Sequence, residues 1–189
     1  TSWKEHNRSL CIEELPKEAE FGTHLIVMTL AKNTAFYHQS QDYAALDDAK
    51  LFCTQLEEQL LSGEQCGFYI PVELKIAPII SFIHEHFFEE KSKISRKERL
   101  DFIEIFYFFL LLRILDKEQP DSASFTCKDA VDTGAAQSAA FYGFARMLSK
   151  DAPWSKEDKN FFLFSLYTPA LLVRHRPIDS QRLLRTISA

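Results

Sequence analysis

Apolar positions recur along most of this chain with the spacing of helices. Between residues 41 and 61, apolar or small side chains stand at 44, 45, 49, 51, 52, 56, 60 and 61. That period lines them along one side of an amphipathic helix, which Ser62-Gly63 would stop. Pro78 suits the first turn of a second helix reaching about residue 90. Ser95 and Glu98 have the S-x-x-E spacing of a capping box, in which each side chain accepts the other residue's backbone N–H. The helix they open is expected to run to about residue 117. Its stretch FIEIFYFFLLLRIL is apolar nearly all round, as in a helix enclosed by others. Gln119-Pro-Asp-Ser breaks it. Helical spacing returns over 134–149, and a second box, Ser155 to Asp158, opens a helix through about residue 167. Thr168-Pro169 is expected to begin a new segment, and Pro177 precedes a last helix over 179–187.

Three short stretches depart from this period: FGTHLIVMTL (21–30), CGFYIPVEL (66–74) and ASFTC (123–127). They are apolar and partly β-branched, and read as candidate strands. Residues 1–20 are mixed and read as peripheral. The pattern therefore predicts a mainly α fold with one small β-sheet of two to four strands, an α+β domain.

Composition narrows the picture. Only 5 of 189 residues are Gly while 17 are Phe, a poor recipe for the tight hairpins of an all-β sandwich or barrel. No repeat or linker divides the chain, so 1–189 reads as one domain. It begins at Thr1 rather than Met, which reads as a piece of a longer chain. The net charge of −5 argues against a general nucleic-acid binder. The charge is uneven: residues 174–189 carry Arg174, Arg176, Arg182 and Arg185 against Asp179 alone, so an anion site would gain most from that end. Four scattered cysteines without a C-x-x-C pair suggest reduced thiols in a cytosolic setting and no zinc site. The strongest apolar run covers only 105–112, between Glu104 and Arg113, too short for the roughly 20 residues of a membrane span.

One segment carries recognisable chemistry. In ASFTCKDAVDTGAAQSAAFYGFARML a short apolar stretch ends in Cys127, a polar loop follows, and Gly134 opens a helix of small residues. Loop amides and a helix N-terminus pointing at one spot cradle an anion, and the same field lowers a thiol pKa. The residues CKDAVDT resemble the Cys-x5-Arg loop of cysteine-based phosphoinositide phosphatases. Inositol 4-phosphatases, including secreted bacterial effector versions, carry loops of the type CKSAKDRT, which this chain matches at Cys127, Lys128, Ala130 and Asp132. Sac-type lipid phosphatases carry C-x-D-x-x-D-R, matched at Cys127, Asp129 and Asp132. The resemblance spans about ten residues. It implies a thiolate nucleophile at Cys127, proton transfer or loop support from Asp132 and Asp129, and a preference from Lys128 for a multiply phosphorylated inositol head group. Thr133 and Gly134 would join the phosphate cradle.

Thr133 stands where the family has its arginine, whose bidentate grip on phosphate is a large part of transition-state stabilisation. Either another arginine substitutes, with Arg174 and Arg176 the candidates, or the site binds phosphate without turning it over. The expectation is a divergent phosphatase or pseudophosphatase of inositol phosphates or phosphoinositides. The alternative is a non-catalytic helical protein-interaction module of a larger protein, for instance a secreted effector in a host cytosol. No cofactor or metal is expected. His84 and His86 are spaced i, i+2 and lie on different sides of a helix, and no Walker A, G-x-S-x-G or G-x-G-x-x-G pattern occurs. His24, inside the apolar stretch 21–30, is expected in the core, as are the phenylalanines of 102–109.

Overall fold

The structure, a computed structural model, describes residues 3–62, 66–71, 73–126, 131–149 and 153–188. Among them lie seven α-helices: α1 Trp3–Glu14, α2 Ala49–Leu61, α3 Ile76–Phe88, α4 Arg96–Glu118, α5 Thr133–Leu148, α6 Lys156–Arg174 and α7 Ser180–Ser188. The fold is mainly helical. Its contacts divide the chain into two compact units, Thr1–Lys117 and Glu118–Ala189. No helix of the described residues is long and apolar enough to cross a membrane.

The first unit is built on α4. The capping box at its start is made as the spacing requires: Ser95 Oγ accepts from Glu98 N at 3.2 Å and Glu98 Oε2 accepts from Ser95 N at 2.7 Å. Phe102, Ile103, Phe106, Tyr107 and Leu110 are buried along α4, and they pack with Phe52 and Leu56 of α2 and Ile80 and Ile83 of α3. The phenylalanine-rich stretch is core because a helix with neighbours on several sides can bury side chains all round. The start of α2 falls at Ala49 because Asp48 takes the N-cap, its carboxylate accepting from Leu51 N at 2.8 Å. Residues 41–43 form a separate 3-10 turn.

Of the expected small sheet, the described residues keep isolated pairs only. Thr29 and Tyr69 exchange N–H···O bonds of 2.8 and 3.0 Å. In an antiparallel ladder such pairs recur every second residue. Here the next positions on the second strand are Gly67, turned left-handed at φ +80°, and Pro71, which has no N–H to donate. The pairing stops after one rung. Residues 123–126 carry no regular structure. His24 is another correction: it sits in a 3-10 turn over 22–24 and is exposed. Residues 1–20, read as peripheral, contain α1. Of its residues 7–14 only Glu13 is buried, so no apolar stripe announced it.

The second unit is an antiparallel pair of helices, α5 and α6, with α7 against α5. Small residues of α5 allow a close approach: Ala136 and Ala139 pack with Leu166 and Ala170 of α6. A Cβ on Gly143 would lie 3.4 Å from Phe162 and 3.6 Å from Trp154. Ser155 and Asp158 form the second capping box. Asp158 also accepts from Tyr142 at 2.6 Å and Arg146 at 3.0 Å, tying the start of α6 to α5. Contrary to the expected break, α6 runs through Pro169. An interior proline forfeits one helical hydrogen bond and costs on the order of 3 kcal/mol. Burial of Leu166 before it and Ala170 after it against α5 offsets that cost.

Candidate functional site

The site read from the sequence falls at the start of α5. Cys127, Lys128 and Asp129 lie outside the described residues; Asp132, Thr133, Gly134, Arg174 and Arg176 lie within them. Asp132 precedes the helix at φ −112°, ψ −75°, and its main-chain oxygen accepts from Ala136 N at 2.9 Å. Its carboxylate does not cap α5. It turns instead to the segment joining α6 and α7. Arg176 donates to it in a fork, Nη1 to Oδ1 at 3.0 Å and Nη2 to Oδ2 at 2.6 Å, and Asp179 N donates to Oδ1 at 2.9 Å.

The antiparallel course of α5 and α6 explains the meeting. The end of α6 returns to the start of α5, so Arg176, 44 residues on in sequence, arrives beside Asp132. His175, at φ +52°, ends α6 in a left-handed turn and redirects the chain. Arg176 therefore reaches the start of α5, while Arg174 is exposed in the last turn of α6.

The electrostatics define what Asp132 can do. The Arg176 hydrogen bonds, opposed by burial and helped by the Asp179 amide, hold its carboxyl below the usual carboxylate range. At neutral pH it is an ionised acceptor, which suits a strut and not a proton donor. A bidentate guanidinium–carboxylate pair plus a backbone N–H makes a firm clasp between the start of α5 and the turn before α7. Thr133 is half-buried and Gly134 buried.

Gln137 was not singled out from the sequence. It is only 8% exposed, and its Nε2 has no hydrogen-bond partner. Gln137 stands one turn beyond Thr133 and Gly134 along α5. A buried donor without an acceptor costs about 1–3 kcal/mol. Its signal in the sequence was a lone amide in a run of small residues, Ala-Ala-Gln-Ser-Ala-Ala.

The described cysteines are ordinary thiols. Cys11 is exposed, Cys53 and Cys66 are half-buried, and none of the three is bonded to another. Burial, with a smaller contribution from Asp48, pushes the Cys53 thiol up to about 11, which leaves it unreactive. His84 and His86 each bond a main-chain carbonyl, of Lys91 at 2.9 Å and of Phe82 at 3.0 Å.

A second feature of this unit is the outer side of α6. Phe161, Phe164, Leu171 and Leu172 stand at helical spacing and are half or more exposed, Phe164 at 62% and Leu172 at 70%. Comparison of the chain with protein-family models, with curated proteins and with solved structures finds no match.

Proposed function

We propose that the start of α5 is a phosphoryl-anion site in a divergent relative of the cysteine-dependent inositol phosphatases. The observation that carries this reading is the buried Gln137 amide, a donor lacking an acceptor beside a helix start that Asp132 leaves uncapped. A spare N–H₂ suits an oxygen of a phosphate. The resemblance supplies the rest. A Cys127 thiolate would attack phosphorus, forming a P–S bond as the P–O bond breaks and the inositol oxygen leaves with a proton from Asp129 or solvent, and water would then hydrolyse the phosphocysteine to phosphate and the free thiol. Lys128 would select a multiply phosphorylated inositol or phosphoinositide head group. With Thr133 in the arginine position and Arg176 already clasping Asp132, turnover is slow or absent, and the domain serves chiefly to bind. The unbonded thiols support a reducing compartment, the cytosol, or a host cytosol if the chain belongs to a secreted effector.

The test is a panel of inositol phosphates and phosphoinositides offered to the wild type, Cys127→Ser, Thr133→Arg and Gln137→Leu. The wild type binds and hardly hydrolyses. Thr133→Arg gains turnover, by about 10²-fold if the guanidinium is placed as in active enzymes, and Cys127→Ser abolishes it. Gln137→Leu weakens binding without lowering thermal stability, since the amide has no partner to lose. If no variant binds phosphate and Thr133→Arg gains nothing, the reading is wrong.

A second reading, a non-catalytic helical interaction module, is favoured by the apolar outer side of α6, since exposed apolar stripes of that kind mark interaction surfaces. Under it, Phe164→Asp with Leu172→Asp abolishes concentration-dependent association in sedimentation, and the phosphate panel is blank.

A further inference from the structure

The first unit contains a groove of about 640 Å³ between residues 73–75 and helices α3 and α4. Its two ends differ. At one, Phe82 of α3 meets Phe109 of α4 edge to face, with ring centres 5.3 Å apart. Phe82 is 42% exposed although it lies in an aromatic contact. Ile79 and Pro78 continue this apolar wall along α3, one turn nearer its start, and Leu74 closes it.

From Phe109 the lining continues along α4 to Arg113 and Lys117, at i+4 and i+8. Each step of four residues advances about 6 Å along a helix. Lys117 Nζ donates to the Glu73 carbonyl at 2.9 Å, so this cationic end meets residues 73–75 and brings Lys75 beside it. The groove thus grades from aromatic to cationic over about 12 Å.

The charge here runs against its surroundings. The first unit carries 13 Lys and Arg against 19 Asp and Glu, yet three of the groove's four charged lining residues are basic, Glu73 being the exception. Asp116 pairs with Arg113 at 3.2 Å. That pair is exposed and contributes little. Arginine has five N–H donors, so Arg113 keeps capacity for a further acceptor.

We propose that this groove binds a small amphiphilic carboxylate, with its apolar body on Phe82 and Phe109 and its head group among Lys75, Arg113 and Lys117. The volume lies within the roughly 300–1,000 Å³ of small-molecule sites, and a docked protein helix would need a longer trough. The site is separate from the α5 site in the second unit and does not depend on it.

The test is a calorimetric titration of the full chain with monomeric dodecanoate, kept below its micelle concentration, beside dodecyltrimethylammonium. Dodecanoate binds saturably at one site and at least about tenfold more tightly than the cation. Arg113→Glu and Phe82→Asp each weaken it by about tenfold or more, Arg113→Glu at unchanged melting temperature. Absence of saturable binding overturns the proposal, and so does equal affinity for the two head groups or full affinity in Arg113→Glu. Binding to anionic vesicles with none to monomeric dodecanoate overturns it too, in favour of a lipid surface.

Discussion

Arg99 shows how much a single side chain can organise. In the run Arg-Lys-Glu-Arg at the start of α4 it reads as one of several solvated charges, yet it is 1% exposed. Its guanidinium donates to Gln39 Oε1 at 2.6 Å, Ile94 O at 2.9 Å, Ala44 O at 3.1 Å and Tyr43 O at 3.3 Å. The segment before α2 is a run of turns with bonds of its own, Tyr43 O also accepting from Leu46 N at 3.4 Å, and a planar fork can reach several of its carbonyls at once. Arg99→Leu keeps the volume and strands those acceptors. It should destabilise the chain by about 3 kcal/mol or more, read as a lower urea midpoint, and Arg99→Lys should recover less than half of the loss. A midpoint shift below 1 kcal/mol by the same measure would mean the carbonyls find water instead. At this scale the sequence states residue types and not partners, and the Arg176 fork on Asp132 is not legible in it. It was silent on Gln137 and Arg99, because burial and partners arise from residues far away in the chain.

Among the elements, the two helix starts with capping boxes were legible, and the ends of α2, α3, α4 and α5 fell within about two residues of expectation, whereas the end of α6 did not. A start is announced by a side chain that accepts the helix's own first amides, a contact made within three residues. Both capping boxes formed. The ends of α3 and α6 are closed by Glu89 and His175 in left-handed conformations, each at φ +52°. Glycine usually marks that position; in a chain with so few glycines the signal is absent. The boxes also make the protein sensitive to acid. Hydrogen bonds from Lys91 and Ser95 lower the Glu98 carboxyl from an ordinary 4.5 to about 2, and bonds from Tyr142 and Ser155 lower Asp158 from 3.8 to about 2. A carboxyl lowered in the folded state stabilises it above the ordinary pKa, and that stabilisation is lost as pH falls toward the folded value. Melting temperature should therefore drop between about pH 4.5 and 2, and Glu98→Gln with Asp158→Asn should flatten that limb while lowering the plateau near pH 7. An unchanged acid limb in the double variant would count against the boxes as its source.

For the whole molecule, the division after Lys117 has a direct consequence. The larger hydrophobic cluster draws only on residues between Met28 and Ile114, so the first unit owns the core it needs. Residues 1–117 expressed alone should give a cooperative thermal transition and dispersed amide resonances. A non-cooperative, molten piece would show that its packing depends on the remainder. The second unit owns a smaller cluster, centred on Ala136, Ala139, Leu166 and Ala170, where close approach of two helices substitutes for bulk.

What the sequence by itself determined is local. The helical period, the Ser95 and Ser155 starts and the apolar α4 all depend on neighbours within a few residues. What only the tertiary structure decided is which distant groups meet. The candidate sheet ended after one rung because Gly67 and Pro71 flank the residue facing Thr29. Helix α6 continued through Pro169 because burial against α5 outweighs one lost hydrogen bond. Arg176 came to Asp132 because an antiparallel pair returns the chain to its starting end. Such outcomes compare energies contributed by residues tens of positions apart, and a local pattern holds no record of that comparison.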